Sequence, residues 1–116
     1  MQIEVKGRNV SVTEDIREYV EKRFQKVARQ VAEMARLEVE LRHERNPSNP
    51  EAQVVEATLS LKGTTLRASD SARDFKHAIN LCEEELSRQV KRHRDKRRRR
   101  REAHAASPRN GIQPAL

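Results

Sequence analysis

Aromatic residues are scarce in this chain, which has one tyrosine, two phenylalanines and no tryptophan. Tyr19, Phe24 and Phe75 all fall on apolar stripes with helical spacing, so none is left to stack on splayed bases, and readers of single strands that work by stacking are a poor match. A lone cysteine, Cys82, excludes an internal disulfide and any multi-cysteine metal site, as suits a reducing compartment. It sits on the apolar stripe of the last helix, where a small buried group is expected rather than a reactive thiol. The three glycines stand apart at positions 7, 63 and 111, which leaves no glycine loop to cradle a phosphate. No apolar run approaches the ~20 residues a membrane span requires. The opening Met1-Gln2-Ile3-Glu4 has no signal-peptide core. The histidines at 43, 77, 93 and 104 sit singly, and His93 continues an apolar stripe, as a packing or edge residue does. The expectation is a cytoplasmic protein that is not an enzyme, with no metal, no cofactor, no small-molecule substrate and no membrane partner.

Positive charge is abundant: Lys and Arg number 25 against 18 Asp and Glu, for a formal net charge of +7. Residues 97–116 contain six arginines and one glutamate and so hold +5 of that excess. In the first helix Lys22, Lys26 and Arg29 recur at helical spacing with Arg23 at their margin. In the last, Arg88, Lys91, Arg92, Arg94 and Lys96 lead into five consecutive arginines, Arg97–Arg101. If the two helices lie side by side on one face of a sheet, the rows meet as a positive groove. Such a surface fits a polyanion, because each phosphate neutralised releases condensed counterions. With stacking unavailable, recognition is expected to act on the phosphate backbone and the shape of folded RNA. Glu83-Glu84-Glu85 reads as a solvated helix turn in which Glu84 faces Arg88.

Periodicity supplies the fold. Residues 2–6 alternate and end at Gly7, as a short strand with one buried face does. Thr13, followed by Glu14 and Asp15, is the more natural of two possible helix starts, and the apolar spacing through Ile16, Val20, Phe24, Val27 and Val31 predicts a helix to about Met34. Between Arg36 and Asp70 the period changes to two, giving strands around Leu37–Arg42, Val55–Lys62 and Thr65–Ser69. A loop of about nine residues holding Asn46-Pro47 and Asn49-Pro50 separates the first two, and Lys62-Gly63-Thr64 reverses the chain between the next. Ser71 to Asp74 reads as the start of the last helix, whose apolar stripe runs through Phe75, Ile79, Cys82, Leu86 and Val90. With 37% charged residues the core must be small. The expected architecture is a two-layer α+β domain, β-α-β-β-β-α, with two helices on one face of a four-stranded sheet, over residues 1–96. Residues 97–116 are expected to be a basic, disordered tail, with Ser107–Pro114 unstructured.

Several stretches resemble the ribosome hibernation promoting factors, the family that includes the ribosome-associated inhibitor protein Y. They are Met1–Val10, Val12-Thr13-Glu14 with Arg17-Glu18-Tyr19-Val20, Leu66-Arg67-Ala68-Ser69, and Asp74-Phe75 through Ala78-Ile79 to Leu86–Val90 and His93–Lys96. The resemblance covers residues 1–96 and implies a fold similar to double-stranded RNA binding domains. It also implies a translation inhibitor that binds the small ribosomal subunit and its rRNA, and the whole ribosome, in the channel of messenger and transfer RNA during stress or stationary phase. Arg23, Lys26, Arg29, Arg88, Lys91 and Arg92 are then expected to face rRNA. The alternative is a general double-stranded RNA binding module or RNA chaperone. The chain departs from the family pattern in its arginine run and in Lys76 and Glu83, which stand where aromatic or apolar residues are more familiar, so a looser helix is expected. It is expected to be a short form or the N-terminal piece of a long form.

Overall fold

The computed structural model describes residues 1–44 and 52–112, with side chains as far as Ala103. Four strands, β1 (Gln2–Arg8), β2 (Arg36–His43), β3 (Gln53–Leu61) and β4 (Thr64–Ala72), form one sheet in chain order. β1 runs parallel to β2, while β2–β3 and β3–β4 are antiparallel. The parallel pair requires a crossover, supplied by α1 (Glu14–Arg23) and the short α2 (Gln25–Ala28). A long helix, α3 (Phe75–Ile112), follows β4. It packs on β3 and β4, while α1 packs on β1 and against α3, so the helices cover one face of the sheet as expected.

Strand alternation produces this layering. Val5, Leu37, Val39, Leu41, Val55, Ala57 and Leu59 are buried on the helix side. Ala57 and Ala68 lie opposite each other in the β3–β4 ladder, and the Cys82 thiol of α3 sits 3.4 Å from the Ala68 carbonyl oxygen. Small strand residues here let the helix backbone approach closely, and a larger side chain at either position would lift it. The other face is wet and charged: Lys6 pairs with Glu38, and Arg42 lies within 4 Å of Glu40, Glu44 and Glu56. The Pro-containing connection of residues 45–51 lies outside the described residues; at its base Glu44 N–H donates to the Ala52 carbonyl at 2.8 Å.

Thr13 caps α1 as expected, its hydroxyl accepting from the Ile16 N–H at 3.2 Å. The crossover helix, however, breaks at Phe24 and ends at Ala28 instead of running to Met34. Tertiary geometry ends it: Gln2 N–H donates to the Ala35 carbonyl at 2.9 Å, so the chain must be back at the sheet by Ala35. Gln30 eases the exit, its side-chain amide donating to the Lys26 carbonyl at 3.2 Å.

The last helix also starts later than Ser71. That residue still pairs with Val54 in the β3–β4 ladder, and the cap is Asp74, whose carboxylate accepts from the His77 N–H at 2.8 Å. At its other end α3 continues through the arginines to Ile112, into the stretch expected to be a disordered tail from residue 97. Arginine and alanine are both strong helix formers, and Asp95 lies 4.0 Å from Arg98 one turn on, easing repulsion within the run. The expected unstructured end falls partly within this helix, and residues 113–116 lie outside the described residues.

Two turns explain their residues. Lys62 and Gly63 form a two-residue hairpin loop, Leu61 pairing with Thr64, with Gly63 at φ 78°. Gly7 has the Val10 carbonyl oxygen pressed over its α-carbon, so an added methyl would collide with backbone. Gly7→Ala is expected to destabilise the domain by about 1–3 kcal/mol, read as a lower urea midpoint, whereas Gly63 has open space around it and is constrained only by its φ.

Candidate nucleic-acid interface

Side-chain contacts between α1 and α3 keep a nearly constant offset. Asp15 pairs with Lys76 at 2.9 Å, Tyr19 hydroxyl donates to Asn80 at 2.6 Å, and Arg23 reaches Glu84 at 3.5 Å, each a separation of 61 residues. A constant offset means parallel helices, so both C-terminal ends lie at the same end of the layer. Lys22, Lys26 and Arg29 are exposed at that end of α1–α2, and Arg88, Lys91, Arg92 and Lys96 are exposed along the corresponding part of α3. The opposite end of α1 carries exposed Glu14, Asp15 and Glu18. In α1 this polarity follows the helix dipole, with Glu14 and Asp15 in the first turn and Lys22 and Arg23 in the last.

Arg23 has a different occupation. Its Nε lies 3.1 Å from an oxygen of Glu83, which is 2% exposed, and meets it as an ion pair without a well-aligned hydrogen bond. Ser87 hydroxyl donates to the other Glu83 oxygen at 2.8 Å. Lys76 likewise bridges the helices, its ammonium paired with Asp15 and lying 5.4 Å from the Tyr19 ring centre. The expectation that Lys76 and Glu83 loosen the helix is therefore corrected: both tie α3 to α1. The carboxylate that engages Arg88 is also corrected, from Glu84 to Glu85, whose Oε2 accepts from the Arg88 guanidinium at 2.6 and 3.2 Å. Arg88 and then Gln89 hold the Glu85 carboxyl below its ordinary range. Gln89 also donates to the Arg67 carbonyl of β4 at 2.7 Å, which pins this stretch of α3 to the sheet edge.

Arg94 turns to yet another surface. Val90 is the last buried residue of α3, and one turn on His93, Arg94 and Arg97 continue its side of the helix. They overhang a groove of about 690 Å³ bounded by the α2–β2 connection and the β3–β4 hairpin. Met34, 92% exposed, stands on this connection, and Arg36 and Lys62 line the groove as well. Nothing in the spacing of Met34, Arg36 and Lys62 groups them, because the residues meet only through the sheet topology.

Burial pushes the Cys82 thiol up to about 12 from an ordinary value of 9.0. Below that value it stays protonated, so Cys82 is expected to be inert to disulfide reagents at pH 8 in the native protein and to react in full in denaturant, checked by thiol titration. Among the described residues no group of three His, Cys, Asp or Glu could hold a metal ion, and no helix is long and apolar enough to cross a membrane.

Residues 3–98 match the family model described as sigma 54 modulation protein / S30EA ribosomal protein. The chain belongs to this family. It is similar to the ribosome hibernation promoting factor of Salmonella typhimurium, with 32% identity over 96 residues, covering 83% of this chain and 96% of that protein. It is 27% identical over 97 residues to the ribosome hibernation promotion factor of Picosynechococcus, covering 83% of this chain but spanning about half, 50%, of that longer relative. Its fold is that of the Thermus thermophilus protein Y N-terminal domain, with TM-score 0.67 and 29% identity over 80% of this chain and 99% of that one. The S30AE family model ends one residue beyond Arg97, so most of the arginine run lies past it.

Proposed function

We propose that this chain is a ribosome hibernation factor, a non-enzymatic translation inhibitor that acts in the cytoplasm by occupying the messenger and transfer RNA channel of the small subunit. Residues 1–96 form the ribosome-binding unit. Lys22, Lys26, Arg29, Arg88, Lys91, Arg92 and Lys96 meet the phosphates of rRNA, and Arg23 acts behind them by holding the two helices in register. The carrying observation is the parallel helix pair, which collects exposed cations of both helices at one end of one layer. Family membership supports the same reading, since relatives over this length are named ribosome hibernation promoting factors. Rigid placement matters because phosphate contacts fix register and orientation on folded RNA only when the cations themselves are held. Residues 97–116 add attraction without choosing the site.

The test is sedimentation with purified small subunits while a plain RNA duplex is added in excess. The protein is expected to stay with the subunits at duplex concentrations far above those of the subunits. Release at comparable concentration would instead favour a general duplex binder.

A further inference from the structure

The groove beneath the α3 overhang is a second surface, separate in composition from the helix face proposed to meet RNA. Its floor is aliphatic: Val31 and Leu61 are half-buried against the core, and beside them Met34 projects into solvent as the only exposed large hydrophobic residue among those described. Its margin is cationic, with Arg36, Lys62, Arg94 and Arg97 against a single carboxylate, Glu33. From this structure we infer that the groove docks a short acidic segment of another protein, an amphipathic helix that seats apolar side chains on Met34 and Leu61 and sets its carboxylates against the four cations.

Both halves of the composition point to that occupant. RNA would satisfy the cations, but its sugar-phosphate surface offers nothing to aliphatic side chains, and the groove is lined by no Phe, Tyr or Trp, its one ring being the His93 imidazole. A peptide rich in acids alone would leave Met34 and Leu61 wet. An amphipathic helix satisfies both, and methionine, unbranched and polarizable, adapts to such apolar faces. The acid-to-base imbalance supplies the complement: four fixed cations facing one Glu33 select carboxylates and reject a basic helix. The site does not depend on the ribosome reading, because Met34 lies outside the cations assigned to RNA.

The probe is a fluorescent synthetic peptide of roughly 16 residues, about four helical turns, with leucines at i, i+3, i+4 and i+7 and glutamates elsewhere. Controls are a scrambled peptide of the same composition and a patterned one with lysine for glutamate. Anisotropy at about 0.15 M salt should show the patterned acidic peptide binding at least tenfold tighter than either. Amide shifts in the full chain should cluster at residues 30–36, 60–62 and 90–97. Met34→Asp should weaken the peptide by roughly tenfold or more, since one large apolar contact is lost and a like charge meets the glutamates. The same variant should bind small subunits as the parent does. Equal binding of the scrambled peptide, or shifts confined to the arginine run, would reduce the site to unspecific charge and overturn the inference. So would displacement of the peptide by plain duplex RNA that itself shifts the groove residues. A concentration-dependent dimer abolished by Met34→Asp would replace the partner by a second copy. Tenfold tighter peptide binding after removal of residues 104–116 would replace it by the chain's own end.

Discussion

Lys91→Glu combined with Arg92→Glu is expected to weaken binding to the small subunit by roughly a hundredfold and to abolish inhibition in a cell-free translation assay, even with the arginine run intact. The two residues are exposed on α3 one and two positions beyond Val90, whose burial fixes the helix beneath them. Charge reversal there removes two contacts and sets two anions against phosphate. Exposed positions off the apolar stripe change stability by no more than ~0.5 kcal/mol, so circular dichroism and the urea midpoint should stay at parental values. Arg88 is a poorer choice, because it is bound to Glu85 and its reversal would disturb that pair as well. Deleting residues 97–116 should have the opposite profile: lower affinity at low salt, inhibition retained, and the same footprint on small-subunit RNA. With seven cations in contact, log affinity should fall against log salt with a slope of roughly 5 to 6. A tail-less protein that fails to inhibit at any concentration, beside a double variant that still does, would move the functional surface from the helix pair to the arginine run.

The largest effect on stability is expected from Arg23→Ala. Glu83 is buried to 2% exposure, and its cationic partner arrives only from α1. Removing that partner leaves a carboxylate in the interface with one hydroxyl for company, which costs about 3 kcal/mol, toward the lower end for broken buried pairs because the Arg23 side chain is 35% exposed. Replacing both residues, as Arg23→Leu with Glu83→Leu, should recover most of the loss, since a buried pair gains little over apolar groups of similar volume. A double-mutant cycle on urea midpoints measures the coupling. If Arg23→Ala changes stability by less than the ordinary surface amount, the pair is incidental and Arg23 is available to RNA.

The sheet was legible because its four strands alternate cleanly, and the register places the alternating apolar residues on the covered face. Cap chemistry was readable at Thr13 but misleading at Ser71, where a serine followed by Asp74 satisfies the sequence signature while the backbone is still committed to the ladder. The end of the crossover helix left no mark, since neither glycine nor proline lies between Phe24 and Arg36. What ends it is a hydrogen bond from Gln2, more than thirty residues away in sequence. At the site, charge type and approximate face could be read from spacing. Which cation turns inward could not, because Arg23 is selected by a glutamate from another helix and Arg94 by the overhang of α3 beyond the sheet.

The parallel alignment of α1 and α3 has a kinetic corollary. A molecule with carboxylates at the start of α1 and cations of both helices at the other end experiences a torque in the field of a polyanion as well as a pull. It turns cation-first before contact, which raises the fraction of collisions that are productive. Salt should therefore slow association more than it speeds dissociation, and Glu14→Lys with Glu18→Lys, though it adds attraction, should blunt that orientation and raise the share of encounters that arrive the wrong way round.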